Sequence, residues 1–190
     1  IEFLFRKNKV ETMHGWGRWA GPGRVAVENE GQVTEVEATR IMLAAGSEAR
    51  SLPGVNLDGK VVLDNRAILE LPEVPKKLVI VGAGAVGVEF ASLFHSFGSE
   101  VTLLEMTPRI VPLEDEDISA ELEKSFRRRG IQMFTSTTVE SVAANASGAT
   151  VTFRDQAGSV QTLTADRVLI AVGRAPVTSR LGLESARVKM

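Results

Sequence analysis

The chain contains no cysteine. Within these residues that excludes disulfides, thiolate nucleophiles and cysteine-ligated metals. No metal site is expected from its two histidines, His14 and His95, which read as solvent-facing or helix-surface side chains. Charge of one sign is also scarce: the formal net charge is −2, so neither nucleic acid nor an anionic membrane is expected as a partner. Long apolar runs are missing, since the longest, Leu78 to Val88, is interrupted by glycine and too short to span a bilayer. Low-complexity tracts and a recognisable signal peptide are missing as well, and the chain opens on Ile1. That start suggests a piece of a longer protein. Absences in such a piece do not fix the compartment, and a cytoplasmic setting is the expectation. What remains, 44% hydrophobic and 24% charged, is enough to bury a core in one or two domains.

One sentence is written twice. "TRIMLAAGSE", from Thr39 to Glu48, returns as "DRVLIAVGRA", from Asp166 to Ala175. The match extends upstream: Gly31 and Val33 answer Gly158 and Val160, and Val36 answers Leu163. The first copy reads as a hairpin, Val25–Val27 and Val33–Val36 about Gly31, followed by an apolar strand over Ile41–Ala44. The second reads as Thr150–Arg154 and Val160–Leu163 about Gly158, followed by a strand over Val168–Val172. A strand apolar on both faces needs layers above and below it, so each copy predicts the end of an α/β domain.

Between the copies lies a phosphate cradle. Lys77–Val81 reads as a buried strand and runs directly into Gly82-Ala83-Gly84-Ala85-Val86-Gly87. A helix should follow, with Val86, Phe90, Leu93, Phe94 and Phe97 on one face and Gly98 closing it. Val101–Leu104 reads as the next strand and delivers Glu105 at its end. Strand, G-x-G-x-x-G, helix, strand and acid is the order that dinucleotide binding requires. Gly82 permits the tight turn, Gly84 lets backbone approach a pyrophosphate, and Gly87 lets helix and strand pack closely; the helix amino end then faces the phosphates. A carboxylate at Glu105 accepts bonds from a ribose 2′-hydroxyl and repels a 2′-phosphate, which favours NAD over NADP. Met106 and Thr107 bring no cation, and only Arg109 is near.

Further on, Glu114–Asp117 and Lys124 with Arg127–Arg129 read as the two ends of a solvated helix whose charges suit its dipole. Ile131–Phe134 supplies a third strand, and Val139–Val142 leads into the second hairpin. The expectation is an α/β, Rossmann-like dinucleotide-binding domain over 76–175 with an inserted antiparallel hairpin. Residues 1–50 should be the carboxyl-terminal part of an incomplete second domain of the same type, 51–75 a proline-punctuated linker, and 176–190 a segment returning to the first domain.

Two such domains in tandem resemble the flavoprotein disulfide reductases, and specifically the dihydrolipoyl dehydrogenase family. The resemblance covers essentially the whole chain and rests on "IEFLFRKNKV" with the Gly15-Trp-Gly17 turn, "AAGSEARSLPG", "VIVGAGAVGVEFASLFHSFGSEVTLLEMTPRIVPLEDEDIS" and "VLIAVGRAPVT". It implies that Gly82, Gly84, Ala85, Val86 and Gly87 hold the NAD pyrophosphate and that Glu105 holds the adenosine ribose. It further implies Val139 at the adenine, Gly173 near the nicotinamide, and Glu89 near the nicotinamide amide and the flavin. A first-turn glutamate answering the helix dipole is the plainer role for Glu89. On the FAD side, Gly17 matches a backbone contact to the flavin nucleotide's adenine. Ala44, Ala45 and Gly46 match the family's Ala-Thr-Gly, and alanine at position 45 lacks that hydroxyl.

The same resemblance implies a parent that passes electrons from a dithiol to its own disulfide, to FAD, and as hydride to NAD. The redox cysteine pair and the FAD cradle would lie upstream, and a flavin-binding Gly-Asp strand and a dimerisation domain with a His-Glu pair downstream. No catalytic residue is expected in this chain, which should bind NAD or NADH, hold FAD poorly and not turn over. A homo-oligomer is expected, and a parent associated with a 2-oxo acid dehydrogenase complex. Alternatives are a flavin-free dinucleotide-binding module or sensor, or an NADH-linked relative such as mercuric reductase or soluble transhydrogenase.

Overall fold

A computed structural model describes residues 1–186 and Val188. The chain divides into two compact units, Ile1–Ser47 with Pro176–Met190, and Glu48–Ala175. The expected return segment therefore falls in the first unit, and its residues 187, 189 and 190 lie outside the described residues.

The first unit opens with a short helix, α1 (Glu2–Lys7), and continues as a three-stranded antiparallel meander of β1 (Trp16–Gly21), β2 (Arg24–Asn29) and β3 (Gln32–Glu37). The β2–β3 loop is the two residues Glu30 and Gly31, both at positive φ (48° and 81°), as a twisted two-residue hairpin of the primed type requires. Gly17 is not part of a turn. It sits in β1 opposite Val27, where an added Cβ would meet only ordinary contact. The strand expected over Ile41–Ala44 does not form, and Met42 and Leu43 stay 90% and 48% exposed. The physical reason is pairing: among the described residues no strand runs beside it, so its apolar side chains find no layer to enter. Gly46 follows at a φ of 75°.

Chain order then gives β4 (Ser47–Ala49), β5 (Val62–Leu63), a 3₁₀ turn (Ala67–Glu70), β6 (Lys77–Val81), α2 (Ala85–Ser96), β7 (Glu100–Leu104), α3 (Glu116–Arg129), β8 (Gln132–Phe134), β9 (Thr138–Asn145), β10 (Gly148–Arg154), β11 (Val160–Ala165), β12 (Arg167–Ile170) and β13 (Arg174–Pro176). β4 and β13, which follow the two repeated glycines Gly46 and Gly173, form a two-stranded sheet.

The second unit is built on a five-stranded parallel sheet ordered β5-β12-β6-β7-β8. Alternation along the strands sends side chains to two different layers. Leu78 and Ile80 of β6, Val101 and Leu103 of β7 and Leu169 of β12 pack with Val88, Ala91 and Phe94 of α2 and Phe126 of α3. Val79, Val81, Leu104, Val168 and Ile170 pack instead with Val151 and Phe153 of β10. The inserted piece is thus a three-stranded antiparallel sheet, ordered β11-β10-β9, that covers the second face of the parallel sheet. This is why β6 reads as apolar at every position after Lys77.

Residues 51–75 are more than a linker, because they supply β5, the 3₁₀ turn and the buried Val61, Val62, Leu63 and Ile68. Asp58 fixes the entry to β5: one carboxylate oxygen accepts from the N–H groups of Lys60, Val61 and Val62 at 2.8, 2.8 and 2.9 Å. Burial alone pushes this carboxyl up, but those donors and the Lys60 charge outweigh it and hold it below the usual aspartate value.

Both helices end as their sequences dictate. In α2 the Ser99 N–H bonds to Phe94 C=O and the Gly98 N–H to His95 C=O, with Gly98 at a φ of 99°. Asp115 caps α3 by accepting from the Asp117 N–H at 2.9 Å, and Gly130 closes it in the left-handed region. The buried face of α2 is only in part the expected one. Gly87, Val88, Ala91 and Phe94 face inward, Phe90 is half-buried, and Leu93 and Phe97 are 40% and 58% exposed. The contact at Gly87 described below sets that rotation. Among the described residues no helix is long and apolar enough to cross a membrane.

Candidate functional site

The carboxyl ends of β6, β7 and β12 open onto a crevice of about 430 Å³. Its walls include Gly82, Gly84, Ala85 and Val86 of the glycine turn, Leu104 to Met106, Val139, and Ala171 to Gly173. A wider cleft of about 640 Å³ lies at the opposite, amino ends of the strands, near Asp58, Lys60, Glu70 and Arg167. Open α/β sheets bind ligands at the carboxyl ends, where strand order reverses and helices present their amino termini. In this sheet the reversal falls at β6, between β7 and β12. The smaller crevice is therefore the candidate site.

Of the three motif glycines, Gly82 and Gly84 line the crevice, and Gly87 is buried behind them, outside the lining. Gly82 has a φ of 98°, and a Cβ there would overlap the Ala171 carbonyl. A Cβ on Gly87 would overlap the carbonyl oxygen of Gly82, so α2 reaches β6 only because that position is bare. Gly84 differs: a Cβ there would meet nothing within 4 Å. It faces open space as the N-cap of α2, which has no side-chain cap. The Val88 N–H bonds to the Gly84 carbonyl at 3.1 Å, and the amides ahead of it, at Ala85, Val86 and Gly87, have no intrahelical acceptor. Those donors and the helix dipole suit an anion beside the backbone.

Glu105 is the polar centre of the crevice. It is 8% exposed, so it is not a solvated strand-end carboxylate. Its Oε2 accepts from the Ala83 N–H at 2.6 Å, while Oε1 accepts from the Thr107 N–H at 2.8 Å and lies 2.9 Å from the Thr107 hydroxyl. A carboxylate oxygen offers two acceptor sites, so Oε2 retains one for a ligand hydroxyl. The Ala83 carbonyl is held from the other side by the Val111 N–H at 2.7 Å. Both polar groups of Ala83, itself fully buried, are thus clamped by the loop that follows β7.

Val111 makes that bond at a φ of 40°, a sparsely populated region for a β-branched residue. Sequence reasoning did not single out Val111, Thr107 or the lining residues Leu52, Pro112, Leu113 and Thr137. Only Pro112 carries a local signal, since proline after Val111 marks a loop.

The other expected residues separate into two groups. Val139, half-buried, and Gly173, at a φ of 114°, line the crevice with the glycine turn. Glu89 does not: it is exposed on the second turn of α2 and outside the lining, and the first turn of that helix holds no acid. Gly17, Ala44, Ala45 and Gly46 belong to the first unit and are exposed there. His14 is exposed and His95 half-buried in the last turn of α2.

The pattern of the pyridine nucleotide-disulphide oxidoreductase family matches residues 1–190. The chain belongs to that family. Among curated members of these oxidoreductases, it is 42% identical over 187 residues to dihydrolipoyl dehydrogenase 3 of Pseudomonas putida, covering 97% of this chain and 40% of that protein. It is 39% identical over 185 residues to dihydrolipoyl dehydrogenase of Cupriavidus necator, covering 97% and 39%. A leghemoglobin reductase of Glycine max is 39% identical over 191 residues, covering 100% and 36%. Among solved structures, LpdA from Mycobacterium tuberculosis superposes with a TM-score of 0.81 at 31% identity, covering 92% of this chain and 39% of that one. RclA from Escherichia coli, an HOCl-induced flavoprotein disulfide reductase, superposes with a TM-score of 0.81 at 28% identity, covering 100% and 44%. The chain spans roughly two-fifths of the length of these oxidoreductases.

Proposed function

We propose that this chain is the NAD-binding portion, with an adjoining part of the FAD-binding portion, of an NAD-dependent dihydrolipoyl dehydrogenase. The parent would oxidise dihydrolipoamide with NAD⁺, giving lipoamide, NADH and a proton. The observation that carries the reading is the pairing, in one crevice, of an uncapped helix amino end with a buried carboxylate that has acceptor capacity to spare.

The residues present fit an adenine dinucleotide. The open space at Gly84 would admit a pyrophosphate against the backbone, and the amides of Ala85 and Val86, which line the crevice, would donate to it. Glu105 accepts a ribose hydroxyl at Oε2, and Val139 offers an apolar wall to the adenine. Gly173, on the β12 side of the crevice, leaves room for the nicotinamide end. NAD⁺, when bound, supplies the hydride acceptor, and the chain's own part is to bind, orient and select it. FAD, held in the intact parent with Gly17 and Ala44–Gly46 on the flavin side, belongs to the same proposal, as do a homo-oligomer and a 2-oxo acid dehydrogenase complex as the parent's assembly.

Titrating the chain with NADH and with NADPH, followed by nicotinamide fluorescence, tests the assignment. A phosphate set against the Glu105 carboxylate is a like-charge contact that costs several kcal/mol. NADH is therefore expected to bind at least about ten-fold more tightly than NADPH. Equal affinity for the two would remove Glu105 from its role.

A further inference from the structure

The loop that carries Glu105 also carries a cation in a restrained position. Arg109 is the single basic residue between Glu105 and Asp115. Its guanidinium is turned back into its own loop: Nη1 donates to Oε1 of Glu116 at 2.6 Å, and Nη2 donates to the carbonyls of Pro112 and Glu114 at 3.1 and 3.2 Å. Arg109 is absent from the crevice lining. The Thr107 hydroxyl lies 2.8 Å from the Arg109 carbonyl and 2.9 Å from Oε1 of Glu105, so one hydroxyl separates the Arg109 main chain from the carboxylate. An extended arginine side chain spans that interval, and guanidinium forks bind phosphate bidentately.

Resting on the reading of the crevice as an NAD site, we propose that Glu116 is a specificity-determining residue acting through Arg109. Together with the Pro112 and Glu114 carbonyls, Glu116 holds the guanidinium and so withholds the single cation of this loop from a 2′-phosphate next to Glu105. Discrimination against 2′-phosphorylated dinucleotides is then set by two carboxylates. Glu105 repels the phosphate directly, and Glu116 occupies its counter-ion. Glu116 is 86% exposed as the first residue of α3, so changing it leaves the core and the glycine turn intact.

The test compares NADH and NADPH dissociation constants for the wild-type chain and the variants Glu116→Gln, Arg109→Gln and Arg109→Gln/Glu116→Gln. An exposed ion pair is weak, so freeing Arg109 should strengthen NADPH binding by about five-fold in E116Q, with NADH unchanged within about two-fold. The gain should fade as salt rises to about 0.5 M. It should be missing from the double variant, because the benefit requires the guanidinium. R109Q alone should leave NADPH affinity where the wild type has it, since the cation is already withheld. No gain in E116Q would overturn the inference. A gain that persists in the double variant would also overturn it, because it would then come from the loss of a negative charge at long range. A wild-type chain that binds NADH while E116Q shows no gain leaves the NAD reading standing and removes only the role of Glu116. A wild type that binds neither nucleotide removes both.

Discussion

Gly87→Ala is expected to abolish measurable NADH binding while the rest of the second unit stays folded. The added methyl would overlap the Gly82 carbonyl oxygen, so α2 must back away from β6 or the turn must move. Overpacking of this kind costs roughly 1–3 kcal/mol. Melting should fall by about 2–12 °C, at ~2–4 °C per kcal/mol for a chain of this size. Binding suffers more than stability, because the amides of Ala85 and Val86 lie on the segment that moves. Losing two hydrogen bonds to a charged pyrophosphate, each worth about 1.5 kcal/mol or more, weakens binding by at least about 100-fold. Calorimetric titration against a melting curve checks both numbers. A variant that melts lower and binds NADH as the wild type does would show that the cradle is not the binding surface.

Glu105→Ala should act in two ways that can be separated. The Ala83 N–H, fully buried, loses its acceptor at 2.6 Å, and an unsatisfied buried donor costs about 1–3 kcal/mol of stability. The ribose loses its acceptor at the same time, and NADH should weaken by about ten-fold for a hydrogen bond to a charged group. NADPH loses less, because the repulsive carboxylate goes too. The preference for NADH should therefore shrink to near parity even though both ligands bind a less stable chain. A stability loss with the wild-type preference intact would mean that Glu105 only braces the glycine turn.

What the sequence showed and what it hid divide along the range of the interactions. The run from Lys77 to Glu105 is legible because each of its signals is local: an apolar strand, glycines where backbone must approach, a helix closed by Gly98, a second strand. The bond from Ala83 to Glu105 was not legible, because Ala83 lies across the sheet and becomes a neighbour only when β6 and β7 pair. Val111 could not be found at all, since β-branched residues disfavour the left-handed region it occupies; the Ala83 bond and burial in the core hold it there.

On α2, hydrophobicity points to Leu93 and Phe97 as well as Phe94, while contact at Gly87 sets a rotation that leaves the first two exposed. Ile41–Ala44 and Val168–Ile170 are equally apolar, yet only the second has β5 and β6 beside it. A strand is a property of its neighbours as much as of its residues. Residues 51–75 read as a linker through their prolines, whereas Asp58 and the buried Val62 and Leu63 tie them to the sheet.

The central claim is that an adenine dinucleotide rests on the open amino end of α2. Amide hydrogen exchange on the wild-type chain, with and without saturating NADH, tests it at single-residue resolution. The amides of Ala85 and Val86 should slow by about ten-fold or more on adding NADH, as groups without acceptors gain them, while β2 and β3 do not change. Unchanged exchange at those two amides, with NADH demonstrably bound, would contradict it.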